Sequence, residues 1–374
     1  MMKEDWDRIA LIMAGGIGER FWPLSRLLRP KQLLPFGPGG ATLLADTVDR
    51  IAPVISSESI YIVTGKTLQE PIRATNLPVP AENVIAEPLK RNTAGALVFA
   101  SAYLLAMRGG VAREAILAVL PADHLIEDGD AFRTDVVTAM ETVAEQGGLA
   151  VIGIPPVRPE TGYGYIELHE EDARTFVEGF SGLALPVAAF REKPDEETAG
   201  RYSDSERHFW NSGMFFWRMG DFLNELEAVA PDHFDVVEPL ALALRDEREE
   251  EVEELFKKLK DISIDYVLME RASKVWMIPA SFHWDDLGAW DSLRRAGEMD
   301  EEGNVALGDS IRVDTRDCVV VNDAGGDAVS VALVGVEGLT VVVTDDGVLV
   351  SRTDRAQDVR EAVKRLKENG SPHL

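Results

Sequence analysis

Cysteine, basic residues and long apolar runs are all scarce in this sequence, and each shortage removes a class of protein. One cysteine, Cys318, stands among 374 residues. That excludes an internal disulfide and any thiolate zinc cluster, and it fits a reducing cytoplasm. Thirty-eight basic against 65 acidic side chains leave a net charge of -27. A nucleic-acid or anionic-membrane binder needs a basic face to exchange counterions, so neither partner is expected. No apolar run reads as the roughly 20 residues of a membrane span. The polar start, Met1 to Arg8, does not read as a signal peptide. With 45% hydrophobic and 28% charged residues, the composition is globular and the length suits two domains.

What the sequence does contain is alternation. Runs at Ile9 to Met13, Ile60 to Thr64, Ala115 to Leu120 and Leu149 to Ile154 are short, apolar and closed by Gly, Pro or Thr. Such runs fit strands buried on both faces of a parallel sheet. Between them, Leu43, Leu44, Val48 and Ile51 recur at helical spacing, Ala94 to Met107 is alanine-rich, and Ala131 to Ala144 is amphipathic. This predicts a Rossmann-like, doubly wound α/β sheet with its ligand loops at the carboxyl ends of the strands. Residues 155 to 300 are less regular, and Glu247 to Lys260 reads as a charge-laced, solvated helix. From Val305 to Ser351, brief β-branched runs between Asp and Gly turns predict a small all-β appendage, closed by a helix through Val359, Val363 and Leu366. The expected domains are 1–304 and 305–374.

The first apolar run leads into Ala14-Gly15-Gly16-Ile17-Gly18-Glu19-Arg20. Glycines there let backbone N–H groups approach an anion. No Gly-Lys-Ser/Thr follows, which excludes a P-loop, and Phe21 replaces the third glycine of the dinucleotide fingerprint, which disfavours a dehydrogenase. From Arg20 to Ala45 there are four cations, Arg20, Arg26, Arg29 and Lys31, and no carboxylate. In so acidic a chain this exception reads as a polyphosphate site, stiffened by Pro23, Pro30 and Pro35.

Leu11 to Leu34 closely resembles the signature of sugar-phosphate nucleotidyltransferases, and its Phe-Trp-Pro-Leu-Ser-Arg and Pro-Lys-Gln elements are similar to the mannose-1-phosphate guanylyltransferase branch. Further matching motifs surround Glu87, Arg91 to Ala94, Asp123-His124, Gly162 to Ile166, Glu192-Lys193-Pro194, Asn211, Ser263 to Tyr266 and Trp284 to Gly288, so the resemblance covers residues 9 to 304. Gly95 departs from it, since the family more often has proline there; an altered helix start is expected.

The resemblance implies a GT-A-like nucleotidyltransferase fold with a mixed sheet, ending in a few coils of left-handed β-helix. It implies transfer of GMP from GTP to mannose 1-phosphate by direct in-line attack, with Mg²⁺ or another hard divalent cation. Asp123 and Asp286 become the expected metal ligands, with Asp285 as the fallback. Arg20, Lys31 and Lys193 become the expected phosphate groups, on the leaving pyrophosphate, the α-phosphate and the sugar phosphate respectively. Both lysines adjoin proline, where extended backbone is expected to direct them inward. Ala14, Gly15, Gly16, Gly18, Arg20, Glu87, Asn92, Thr93 and Pro121 are expected around the nucleotide. Gly164, Glu192, Lys193 and Asn211 are expected around the hexose. A sugar phosphate is already ionised, so His124 is expected to orient rather than act as a base. Three alternatives stay open: another hexose 1-phosphate, another NTP, or a non-catalytic sensor of GDP-mannose. No fused isomerase activity is expected. Valines 319, 321, 341 and 343 predict an apolar face, covered either by the catalytic domain or by a second copy in a homodimer.

Overall fold

The computed structural model describes residues 6–177, 182–325 and 329–374. They form two compact units. The larger comprises residues 6–15, 48–121 and 126–283, and the smaller 16–47, 122–125 and 284–374.

The larger unit is built on nine strands. These are β1 (Arg8–Met13), β2 (Ile60–Gly65), β3 (Val84–Glu87), β4 (Ile116–Pro121), β5 (Leu149–Ile154), β6 (Gly164–Leu168), β7 (Leu185–Glu192), β8 (His208–Arg218) and β9 (Val275–Pro279). Their order across the sheet is β3-β2-β1-β4-β8-β5-β9-β7-β6. The predicted runs become β1, β2, β4 and β5, and successive residues such as Ile9, Ala10, Leu11 and Ile12 are all fully buried. Apolar residues at consecutive positions need cover on both faces, which helices provide. The sheet is mixed rather than parallel. The β3-β2-β1-β4 half is parallel, but β8 runs antiparallel to both β4 and β5, and β6 and β7 are antiparallel too. The strands of the middle region, β6 to β9, lack the long Ile/Val/Leu runs of the first half; β8 is carried by aromatics instead, with Phe209, Trp210, Phe215, Phe216 and Trp217 buried.

Helix α1 spans Leu43–Ile51, α2 Asn92–Arg108, α3 Gly129–Gln146 and α4 Pro231–Arg245. The stretch Asn92–Glu114 does meet the length and composition of a membrane crossing, with mean hydropathy 1.4 over its apolar window, contrary to the sequence reading. Its apolar residues are instead core: Ala94 to Ala102, Leu104 and Leu105 are buried, and α2 packs along α4. At its start, a Cβ on Gly95 would lie 2.3 Å from the Cβ of Arg91, so this helix start has the shape that glycine permits.

In the smaller unit, β10 (Val305–Leu307), β12 (Val319–Asn322) and β14 (Leu339–Val343) stack in parallel, as do β11 (Ser310–Val313) and β13 (Val331–Val334). Two parallel ladders climbing together make a β-helix-like coil. It ends in β15 (Val348–Arg352), antiparallel to β14, and in helix α5 (Val359–Glu368). Of the expected apolar valine face, Val319 and Val321 do pack on residues of the 1–304 region, one of the two covers expected, whereas Val343 turns to the coil's own interior. Val319 and Val321 are buried with Phe21, Leu24, Leu287 and Trp290, while Val343 is buried with Val320, Val331 and Cys318 on the other side. Both faces of the coil therefore serve the unit's own core. The valines left exposed are different ones: Val313, Val329, Val334, Val348 and Val350.

Candidate active site

In the larger unit, sheet topology decides where the expected ligand groups fall. Ala14 follows β1, Glu87 ends β3 and Pro121 ends β4, so three of them sit on the carboxyl edge of the parallel half. That edge is where α/β sheets bind ligands. Ala14 is fixed by its N–H to the Val63 carbonyl (2.8 Å) and by its carbonyl, which accepts from Thr64 Oγ1 (2.9 Å). Glu87 is 8% exposed and its Oε2 has no hydrogen-bond partner. A Cβ on Gly15 would lie 3.9 Å from its other oxygen. Burial pushes the Glu87 carboxyl up to about 7, against the pull of Lys90. Asn92 and Thr93 open α2, with Asn92 in left-handed backbone (φ 55°). The Thr93 hydroxyl accepts from Ile264 N–H at 2.9 Å, so one of its lone pairs is committed to the fold.

The four expected hexose residues come together. Gly164 faces Glu192 across the β6–β7 ladder, and Asn211 lies on β8, which also pairs with β6. A Cβ on Gly164 would fall 2.3 Å from Glu192 Oε2, so only glycine leaves that carboxylate in place. Glu192 donates no proton here; its Oε1 accepts from Lys193 Nζ at 2.8 Å, while its buried Oε2 has no partner. Burial raises the Glu192 pKa, partly offset by Lys193, and the same hydrogen bond raises that of Lys193. The extended backbone expected at Lys193 is not found: it is left-handed, at φ 47°. Asp265 is the residue missed. Its carboxylate accepts from Asn211 Nδ2 at 2.7 Å and so orients the carboxamide, whose oxygen accepts from Gly213 N–H at 2.9 Å. Its only sequence signal was membership of the Ser263 to Tyr266 motif.

The smaller unit holds the other set. Gly18 is left-handed (φ 71°), and a Cβ on it would lie 2.3 Å from the Cβ of Lys31. Both the torsion and the contact therefore demand glycine. Lys31 opens a 3₁₀ turn, Lys31–Leu33, so only Pro30 before it is extended. The Lys31 side chain is nearly buried. Its Nζ donates to Asp123 Oδ2 at 2.8 Å and to the main-chain carbonyl of Asp286. For Asp123, partial burial would raise the pKa, but Lys31 and then His124 hold it below the ordinary range. His124 Nδ1 accepts from Trp284 Nε1 at 3.0 Å, an orienting contact of the expected kind. Asp285 is tied up: it accepts from Arg295 Nε at 2.8 Å and from Leu287 N–H at 2.8 Å.

Of the four loop cations, Arg26 pairs with Asp346, Arg29 with Asp323 and Lys31 with Asp123. Among the described residues, Arg20 alone of these four forms no ion pair, and its Nε is buried without a partner. Among the described residues no three or more His, Cys, Asp or Glu side chains converge as a protein-only metal cage. An ionised Asp123 with a neighbouring Asp286 still fits Mg²⁺, which takes one or two carboxylates and fills its octahedron with water and phosphate oxygens.

A mixed α/β sheet with Ala14, Glu87 and Pro121 on the carboxyl edge of its parallel half is the architecture of an α/β enzyme. The chain belongs to the family described as nucleotidyl transferase, which it matches over residues 9–303. Residues 308–366 match the domain described as mannoseP isomerase/GMP-like beta-helix. Among similar proteins, a mannose-1-phosphate guanylyltransferase of Escherichia coli (strain K12) is 39% identical, over 96% of this chain and 73% of its own. The alginate biosynthesis protein AlgA of Pseudomonas aeruginosa is 37% identical, over 97% and 73%. A crystal structure from Thermus thermophilus, described as mannose-1-phosphate geranyltransferase, is 36% identical with a TM-score of 0.83 and covers 96% of this chain and 99% of that one.

Proposed function

We propose that this enzyme transfers GMP from GTP to α-D-mannose 1-phosphate, giving GDP-mannose and pyrophosphate. The name of the similar Escherichia coli enzyme, mannose-1-phosphate guanylyltransferase, supports that substrate pair. The structural observation that carries the chemistry is the buried Lys31 ammonium held between Asp123 and Asp286. A phosphate oxygen of the sugar phosphate attacks the α-phosphorus as the bond to the β-phosphate oxygen breaks, and pyrophosphate leaves in line. No covalent enzyme intermediate and no general base are needed, so catalysis is positioning and charge stabilisation.

Lys31 stabilises the charge that builds on the α-phosphate, and Arg20, with no carboxylate to neutralise it among the described residues, grips the leaving pyrophosphate. Lys193 receives the sugar phosphate, while Glu192 and the oriented Asn211 accept from and donate to the hexose hydroxyls. Glu87, ionised, accepts from the N1–H and N2–H groups of guanine. Adenine presents an acceptor at N1, so the same carboxylate would repel it. The backbones of Ala14, Gly15, Gly16, Gly18 and Pro121, with Asn92 and Thr93, complete the nucleotide contacts. The family generally works with a divalent cation; Asp123 and Asp286 would hold Mg²⁺, which supplies neutralisation of phosphate charge. The domain limits 1–304 and 305–374, a cytoplasmic location and a homodimer belong to the same proposal.

The test is a matrix of nucleoside triphosphates against hexose 1-phosphates, with Mg²⁺ and pyrophosphate release as the readout. Turnover confined to GTP with mannose 1-phosphate is the expected result. Turnover with glucose 1-phosphate but not with mannose 1-phosphate would transfer the reading to a relative of different specificity. Tight GDP-mannose binding without pyrophosphate release would make it a sensor.

A further inference from the structure

Arg26 and Arg29 lie in the loop that the sequence marks as a phosphate site, yet both turn to acids of the C-terminal β element. Arg26 is the better buried, with its side chain 16% exposed; its guanidinium donates to Asp346 Oδ1 at 2.6 Å and to the carbonyls of Pro23 and Ser25 within its own turn. Asp346 is itself held, by Thr344 Oγ1 at 3.1 Å and His373 Nδ1 at 3.3 Å. Arg29 donates to Asp323 Oδ2 at 2.8 Å. Asp323 directly follows β12, and Asp346 lies in the turn from β14 to β15, so the two acids project from neighbouring rungs of one coil. The same loop gains two further ties, from Trp22 Nε1 to the His373 carbonyl (2.9 Å) and from Glu19 to Lys367 on α5. At Gly347 the approach is so close that a Cβ would lie 2.9 Å from Pro23 Cβ.

We propose that the C-terminal β element acts as a positioning clamp for the glycine-rich loop, with Arg26 and Arg29 as its handles on Asp346 and Asp323 rather than as phosphate ligands. The inference rests on the functional reading above, in which Gly18, Arg20 and Lys31 act on the phosphates. Glu19 to Arg29 is the segment clamped, and it is flanked by Gly18 and Lys31, which are packed against each other. A shift of the clamp would therefore move Lys31 and Arg20. Exposed ion pairs add little to stability one at a time. A displacement of about 1 Å, by contrast, can cost roughly 10²-fold in rate. The signature of the clamp is thus a change in kcat out of proportion to any change in Tm.

The test uses the full chain and three variants. Asp323→Ala/Asp346→Ala removes both acids, Gly347→Ala wedges the element away from Pro23 without altering charge, and Asp309→Asn serves as a control, because only the carbonyl of Asp309 is used, by Asn322. Amide exchange over residues 18–29 is measured beside kcat, KM and Tm. The double variant and Gly347→Ala should each exchange faster in that segment and lose about tenfold or more in kcat. KM for the sugar phosphate should stay within about twofold and Tm within a few degrees, with the control unchanged. Exchanging the charges, Arg29→Asp with Asp323→Arg, should recover most of what Asp323→Ala alone loses. Unchanged exchange in both variants, or faster exchange with an unchanged kcat, would overturn the clamp. A wild-type protein without turnover would fail the functional reading instead, and the exchange measurement would then decide the tether by itself.

Discussion

The two units place their functional groups by different means. In the larger, position follows from backbone register: Ala14, Glu87 and Pro121 are where parallel strands end, and Gly164 meets Glu192 because the ladder sets them opposite each other. In the smaller, position follows from side chains on loops: Lys31 reaches partners 92 and 255 residues away, and Gly18 is required by the lysine it packs against. A sheet edge holds recognition groups that must keep a fixed shape. Loop contacts hold the Lys31 ammonium, which in the proposed reaction meets charge that builds only in the transition state. Damage to the first kind should appear in KM, and damage to the second in kcat.

The sharpest test of that contrast is Lys31→Ala. It should lower kcat by about 10²–10³-fold, the loss typical of one transition-state donor, while KM for GTP changes little. An unaltered kcat in folded protein would remove Lys31 from catalysis and erase the distinction. Next come the aspartates: Asp123→Asn and Asp286→Asn should each raise the Mg²⁺ concentration needed for half-maximal rate and slow turnover about tenfold or more. Asp285→Asn should leave that Mg²⁺ requirement alone and lower Tm instead, since Asp285 serves Arg295 and Leu287. The reverse pattern would put the metal on Asp285.

For the sheet edge, Gly164→Ala forces a methyl into the space of Glu192 Oε2 and should raise KM for mannose 1-phosphate by about tenfold, the equivalent of roughly 1–2 kcal/mol of overpacking. A loss confined to kcat would blur the two regions. The smallest effect is expected at Glu87, whose carboxyl is raised to about 7 from 4.5. A folded-state value above the unfolded one means that its stabilising contribution is complete below about 4.5 and is lost as pH rises through about 7. Base recognition needs the ionised form, so KM for GTP should fall as pH rises from about 6 to about 8, whereas Tm declines mainly between about 4.5 and about 7 and levels off above. Glu87→Gln should flatten both trends. Parallel pH profiles in the variant and the wild type would show that Glu87 titrates elsewhere.

Legibility in the sequence followed the same divide. Strands β1, β2, β4 and β5 were readable because burial on both faces leaves uninterrupted apolar runs; the short β3 was not, and Ala14, Glu87 and Pro121 came from the resemblance. Strands β6 to β9 were not readable, because in the antiparallel part aromatics and polar residues such as Asn211 and Ser212 share one strand. The resemblance supplied Gly164, Glu192 and Asn211 there, but not Asp265, whose part depends on a side-chain contact between elements 54 residues apart. The loop cations read as one phosphate cluster from composition alone. Composition has no term for partners 320 and 294 residues away, so the pairing of Arg26 and Arg29 stayed hidden. Among the valines of the coil, Val319 and Val321 have the expected cover from residues of the 1–304 region, but alternation could not show that Val343 faces the coil's own interior.

The smaller unit has a further consequence, for the order in which the protein is made. Its first segment, residues 16–47, leaves the ribosome early, yet the acids that hold Arg26 and Arg29 stand at 346 and 323. At the usual 5–20 residues per second, synthesis of the intervening chain takes on the order of 15–60 s. For that interval the nascent loop has its cations but not their partners. Contacts of such sequence separation also make this unit slow to close. The loop's tethers are therefore in place only once the strands around residues 323 and 346 are made, and a ribosome stalled before them would leave a formed sheet with an untethered loop.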